Sequence, residues 1–296
     1  LSPDQQQILN SMNAKVPNRW GFRKYNGAPT QNYALTVGLP FNLGDDNKLG
    51  VIASLTYRHE ETTDDLQKAF YINNADSLVT GNRYAFVTAI GAVANVGWER
   101  PGHKVTWRNM FNNRFTHTNT ERVVYNDDAV IHNRMEQYSN PLTNRLWQTQ
   151  LTGDHQLPLN LKFTWTADYS KLTRTTPDDR LAYGDVMSGA NSGNDSYLIN
   201  WQYPTKTALK EGFQMYSKLE EDKKNIGGNL EYPFVIEGNQ QTIKAGYLGT
   251  FRKGKFNQDY IQTLRTDNEY LPYVEGSSLE QTFAPELYAD GKLYLR

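Results

Sequence analysis

Cysteine is absent from the 296 residues, which removes disulfide frameworks, thiolate metal sites and cysteine nucleophiles together. An excess of charge is missing too. The 31 basic and 32 acidic residues leave a net charge of -1, so nothing electrostatic points to a nucleic-acid partner. The most apolar uncharged stretch, Ala85 to Trp98, has 14 residues and includes Thr88 and Asn95, whereas a helix crossing a bilayer needs about 20 apolar residues. A bundle of membrane helices is thereby excluded. No cleavable signal is legible in Leu1 to Trp20, which leaves a cytosolic chain, a mature one, or one cut from something longer. The five histidines, His59, His103, His117, His132 and His155, include no H-E-x-x-H pair, and neither G-x-S-x-G nor a phosphate-binding glycine loop occurs. The expectation is that the chain is not an enzyme and needs no cofactor.

Aromatics are what the chain does have: 19 Tyr, 12 Phe and 6 Trp, against a mean hydropathy of -0.72. They fall in runs of period two, the mark of strands with one apolar face. Tyr33, Leu35, Val37, Leu39 and Phe41 alternate with small or polar residues, and after Gly44-Asp45-Asp46-Asn47 the pattern returns at Leu49, Val51, Ala53, Leu55 and Tyr57. Tyr84 to Trp98, Val105 to Phe115, Leu142 to Leu151, Leu159 to Tyr169, Leu230 to Ile236 and Ile243 to Phe251 complete eight strands, the third and fourth joined at Pro101-Gly102. Two are weaker, since Asn109 and Asn113 interrupt one apolar face and Leu142 to Leu151 alternates poorly.

The connections are unequal. Short turns fall near Gly44, Pro101, Pro158 and Gly238, while His59 to Arg83, Thr116 to Pro141 and Arg174 to Asn229 are long, polar segments. Short and long alternate, as they do in outer-membrane barrels with short periplasmic turns and long outer loops. Strands of about 9–11 tilted residues match the hydrocarbon layer, and aromatics at the ends of the apolar runs match interfacial girdles. A soluble sandwich or propeller is the competing architecture. It would show turn signals at both ends, or a blade-length repeat, and neither is visible. The expected fold is therefore all-β, a transmembrane antiparallel β-barrel. The first strand runs towards a short turn and the last runs away from one, which places both ends on the long-loop side. Eight strands so arranged read as a portion of a larger barrel, with Leu293 and Leu295 opening the next descending strand.

Alternation also assigns the inside. Arg58, Arg108, Arg114, Lys162, Asp168, Lys244 and Arg252 fall opposite the apolar residues and are expected to face the lumen, as a solvated wall or as contacts for ligand or plug. Other clusters carry less. His59-Glu60-Glu61 with Asp64 and Asp65 is oxygen-rich but lacks the EF-hand spacing and glycine, so a solvated loop is expected there and no metal site. Asp127, Asp128 and His132 are a weak hint of a rim hydrolase. Pro177-Asp178-Asp179-Arg180 reads as a turn at the top of a strand, with Asp178 capping backbone donors.

Several segments carry a resemblance. The hairpin segment Leu146 to His155, followed by Phe163 to Ser170 and by Pro177-Asp178-Asp179-Arg180, is similar to the barrel of TonB-dependent outer-membrane receptors of the Bacteroidetes type, with its "L-x-G-x-H", aromatic strand and "P-D-x-R". Ile243-Lys244-Ala245-Gly246-Tyr247 with Phe251-Arg252 and Phe256-Asn257 resembles that family's "K-x-G" strand and the basic and aromatic positions after it. The resemblance covers about Arg19 to Arg296. It implies a barrel of 22 strands closed by a plug, in the Gram-negative outer membrane, importing a nutrient with energy from an inner-membrane TonB complex. Residues 1–296 would be part of that barrel domain, with plug and terminal strands outside them. The implied partners are outer-membrane lipid, the TonB complex through the plug, and a surface lipoprotein or other outer-membrane subunits. The rival from another class is a receptor-like barrel serving as a structural subunit of a secretion or protein-assembly complex.

Overall fold

The computed structural model describes residues 3–13, 15, 20, 26–44, 46–72, 75–126, 134–187, 198–201, 213–265, 279 and 283–295. Helix α1 (Pro3–Asn13) precedes strands β1 (Gln31–Asn42), β2 (Lys48–Ile72), β3 (Ala75–Arg100), β4 (His103–Asn126), β5 (Arg134–Gln156), β6 (Lys162–Met187), β7 (Leu198–Trp201), β8 (Phe213–Ile236) and β9 (Asn239–Arg265). Helix α2 (Pro285–Ala289), which packs on α1, and strand β10 (Leu293–Leu295) follow. Among the described residues no helix is long and apolar enough to cross a membrane.

All strands belong to one antiparallel sheet. Nine lie in the order β1-β2-β3-β4-β5-β6-β8-β9-β10, and β7 pairs with the far end of β6. The sheet is open. Among the described residues β1 pairs only with β2, and beyond β8 the strand β9 meets only β10, at Thr263 to Arg265. The expected continuation at Leu293 and Leu295 is therefore present, three residues long and antiparallel to β9.

All eight expected strands are present, joined at one end by the expected short turns. Gly44 (φ 105) and Gly102 (φ 74) supply the positive φ that two of them need, and Glu237 (φ 49) with Gly238 (φ 79) makes a two-residue hairpin of the primed type. The turn before β6 differs from expectation. Leu159 lies in a short 3-10 turn, Pro158–Asn160, at φ 64, and the strand starts at Lys162.

At the other end the expectation of long loops is overturned. β2, β3, β4, β5, β6, β8 and β9 run for 23 to 27 residues each. His59 to Arg83 is a continuation of the β2–β3 ladder, closed where Ile72 lies opposite Ala75. Thr116 to Pro141 contributes β4 as far as Asn126 and β5 from Arg134, and Arg174 to Asn229 contributes the outer parts of β6 and β8 together with β7. The physical reason is that a period-two pattern reports a difference between two faces. Where both faces meet water the pattern vanishes while the backbone ladder goes on.

Register defines the faces. Tyr33↔Tyr57↔Ile90↔Asn113 and Trp107↔Leu151↔Ala167↔Ile226 run across the sheet on one side, together with Leu35, Phe41, Trp98, Phe163, Leu230, Ile243 and Phe251. This apolar face is uncovered: Leu35 is 67% exposed, Tyr247 69% and Phe251 61%. The chain exposes 20067 Å², whereas a compact domain of this mass exposes about 13,000 Å². Among the described residues no second layer packs on the apolar band. Its interrupting amides are satisfied locally, Asn109 donating to the Ala94 carbonyl at 3.2 Å and Asn113 accepting from Arg145 at 3.4 Å. A hydrophobic cluster lies at the outer end of the same face, where Trp20, Leu279 and Phe283 sit on Met135, Ala182 and Val123. Trp20 and Phe283 stack there at 4.5 Å.

Candidate functional site

The opposite face is polar and concave. Residues of β4, β5, β6, β8 and β9, among them Lys104, Arg108, Thr152, Asp154, Thr164 and Asn229, line one hollow of about 550 Å³. Gly38, Pro40, Gly50, Ile52 and Asn95 share another of about 620 Å³ with Lys104 and Arg108. Side chains from several strands border that hollow, as on a sheet that curves towards this face. Both hollows lie at the short-turn end.

All seven residues expected on the inside are on this face, and the register puts them there. They do not converge. Arg58 pairs with Glu60 at 2.6 Å, Lys162 with Asp154 at 3.2 Å, Lys244 with Glu231 at 2.7 Å, and Arg252 with Glu221. Asp168 accepts from Asn225 at 2.7 Å and Arg108 donates to Gln150 at 3.2 Å. Arg114 has no carboxylate partner among the described residues. Arg108 borders both hollows. Arg83–Asp64 and Arg122–Glu136 continue the cross-strand ion pairs into the outer half of the face.

The segment His59 to Asp65 is β strand and not a solvated loop. His59, Glu61 and Asp65 share the apolar side of the register, whereas Glu60 and Asp64 lie on the other and are held by Arg58 and Arg83. Alternation thus prevents these carboxylates from meeting one ion, and no group of three candidate metal ligands occurs among the described residues. Asp127, Asp128 and His132 lie outside the described residues.

Pro177-Asp178-Asp179-Arg180 is corrected from a turn to a β-bulge inside β6, with one extra residue relative to both β5 and β8. Pro177 lacks the N–H that a regular ladder requires, and Asp178 takes φ 76. The bulge sends two adjacent carboxylates to different neighbourhoods. Asp179, 3% exposed, accepts from Tyr138 at 3.2 Å and Asn140 at 3.0 Å on the concave side. Asp178 accepts from Arg180 at 2.6 Å and Gln214 at 3.0 Å on the apolar side, and the Arg180 guanidinium lies over Trp20 at 5.3 Å. Burial pushes the Asp179 carboxyl up from its usual range, and Asp178 beside it adds to the rise. Burial, with the Asp179 charge, pushes Tyr138 up to about 12. Sequence reasoning missed Tyr138, Asn140, Gln214 and Tyr216 because each sits where the period-two signal has vanished. The Pro-Asp-Asp run inside a polar stretch was the one available sign of a bulge.

Two of the segments that carry the resemblance, Leu146 to His155 and Phe163 to Ser170, are adjacent strands in contact through their side chains. A side chain at Gly153 would come within 2.1 Å of the Trp165 indole nitrogen, so only glycine admits the ring. Trp165 donates to Nε2 of His155 at 2.9 Å, and Nδ1 of His155 lies 3.1 Å from Nδ1 of His103. That chain fixes the tautomers: His155 carries its proton on Nδ1 and donates it to His103. Gly246, likewise, leaves room for the Asn229 side chain. Compared with known protein families, curated proteins and solved structures, the chain finds no match.

Proposed function

We propose that the chain forms part of the wall of an outer-membrane β-barrel belonging to a TonB-dependent import receptor. One observation carries the wall: an antiparallel sheet with an uncovered apolar band on one side and cross-strand ion pairs on the other. The band spans ten residues or so on each strand. At about 3.3 Å per residue and a tilt of about 40° it stands roughly 25 Å tall, the height of a barrel's lipid-facing belt. Trp98, Trp107, Trp147 and Tyr169 border it as a girdle would. The strands then continue past the band by about as many residues again, so the wall stands well above the bilayer on its outer side. Hydrophobic residues placed without a covering layer are otherwise a partner surface. Lipid explains why the cover should span every strand at one height.

The import function rests on the resemblance, now with a physical basis for its motifs in the Gly153–Trp165–His155 contact and the Asp178–Arg180 pairing. A second reading, the structural subunit of a secretion or assembly complex, is favoured by the neutralised concave face, which offers few free charges to a substrate. Growth on a limiting nutrient, with the inner-membrane energising complex intact or deleted, separates the two. An importer requires this gene and the complex together. A scaffold supports growth whether or not the complex is present, and that result would remove the import reading.

A further inference from the structure

One patch of unbalanced charge lies outside both hollows and the bulge. On the apolar side of the sheet, immediately beyond Trp147, Tyr169, Ile226 and Phe251, four adjacent strands carry a ladder of cations. Successive rows read Tyr169–Lys224–Phe251, then Trp147–Lys171–Asp222–Lys253, then Arg145–Thr173–Glu220–Lys255, with Lys218 one row further. Six cations thus face two carboxylates, in a chain whose net charge is -1. All six are exposed. Lys218 is engaged by Glu220 at 2.9 Å and Asp222 is held by the Tyr169 hydroxyl. Lys171, Lys224, Lys253 and Lys255 have no ion-pair partner among the described residues. The local field is positive enough that Lys218, and after it Lys171 and Lys255, hold the Glu220 carboxyl below its usual range. On β2 and β4 the same side continues instead with Glu61, Asp65 and Glu121. The patch is therefore a local feature and not a property of the whole rim.

We propose that this patch binds the phosphate groups of an anionic lipid whose acyl chains lie along the apolar band beneath it. The inference rests on the reading of the sheet as a membrane wall and adds a ligand to it. Strands about 4.8 Å apart and same-face rows about 7 Å apart spread the ammonium groups over some 15 Å in each direction, the scale of one large or two small headgroups. Lysine stems lie along apolar surface while their charges stay at headgroup level. Free phosphate would meet the same charges but nothing of the band, so acyl contact and charge together distinguish the lipid. Each lysine near a charged headgroup is worth about fivefold in affinity.

The experiment uses the full-length protein in phosphatidylcholine nanodiscs, titrated with lipid A as the probe and with inorganic phosphate or poly-glutamate as competitor. The comparison is with Lys171→Gln, Lys224→Gln, Lys253→Gln and Lys255→Gln combined. The expected result is saturable binding of lipid A, weakened about a hundredfold or more in the combined variant and undisturbed by either competitor. Equal binding by both proteins overturns the proposal, and so does displacement by phosphate or by poly-glutamate. Failure of the native protein to enter neutral nanodiscs at all would instead remove the membrane wall itself.

Discussion

At the scale of single residues the bulge in β6 is the most informative feature. One extra residue lets Asp178 and Asp179, adjacent in sequence, serve two different networks, and the cost is a buried carboxylate. Because burial raises the Asp179 carboxyl in the folded state, its favourable contribution is complete below the ordinary carboxylate value and is lost as pH rises through the raised one. Asp179→Asn keeps the neutral form at every pH. Its amide can accept from Asn140 and donate to the Tyr138 hydroxyl, so the network survives. The expected outcome is equal stability of the two proteins near pH 4 and greater stability of the variant near pH 8, by urea unfolding in detergent. A constant difference across that range would show that Asp179 titrates as an ordinary carboxyl. The sequence contains every residue of this network. It was not legible because a bulge is specified by backbone pairing on both flanks, and the Pro177-Asp178 pair suits a turn as well as a bulge.

At the scale of elements, the apolar halves of most strands were readable because one face differs chemically from the other, while Leu142 to Leu151, whose faces differ little, was the weakest. Tyr33 to Phe41 and Ile243 to Phe251 show this in their uncovered apolar residues. The polar halves were not readable. In β2, His59 and Glu61 face one way and Glu60 and Thr62 the other, and no hydropathy pattern separates them. What holds these halves is the ladder itself, with cross-strand pairs such as Arg83–Asp64 at 2.6 Å and Arg122–Glu136 at 2.6 Å. Such exposed pairs are worth at most about 1 kcal/mol each, so the continuous backbone pairing must supply most of the order. The amide protons of Thr62 to Gln67 and of Thr116 to Thr120 are accordingly expected to exchange about a thousandfold slower than in an open chain, an opening free energy near 4 kcal/mol. Exchange at open-chain rates in either segment would return it to the status of a loop. The candidate inner residues were legible by alternation alone, whereas their ion-pair partners were not, because cross-strand partners are set by register.

At the scale of the whole molecule, two edges and one face define what a closed wall would have to satisfy. Among the described residues β1 leaves one side of its backbone unpaired, and β9 does so along most of its length. In hydrocarbon each unsatisfied backbone group costs several kcal/mol, so strands beyond these two are expected to close the wall, and closing it curves the polar face inward around the hollows. The central claim is that the convex face of this sheet lies in lipid and the concave face in water. It is tested most directly by spin labels placed one at a time from Lys162 to Arg174 in the full-length protein in vesicles, comparing accessibility to oxygen with accessibility to a water-soluble nickel chelate. The account predicts that Phe163, Trp165, Ala167 and Tyr169 favour oxygen while Lys162, Thr164, Thr166 and Asp168 favour nickel, with the alternation fading by Thr173 and Arg174. Low accessibility to both reagents at Phe163 to Tyr169 would mean that protein covers the apolar face, and would contradict the membrane wall.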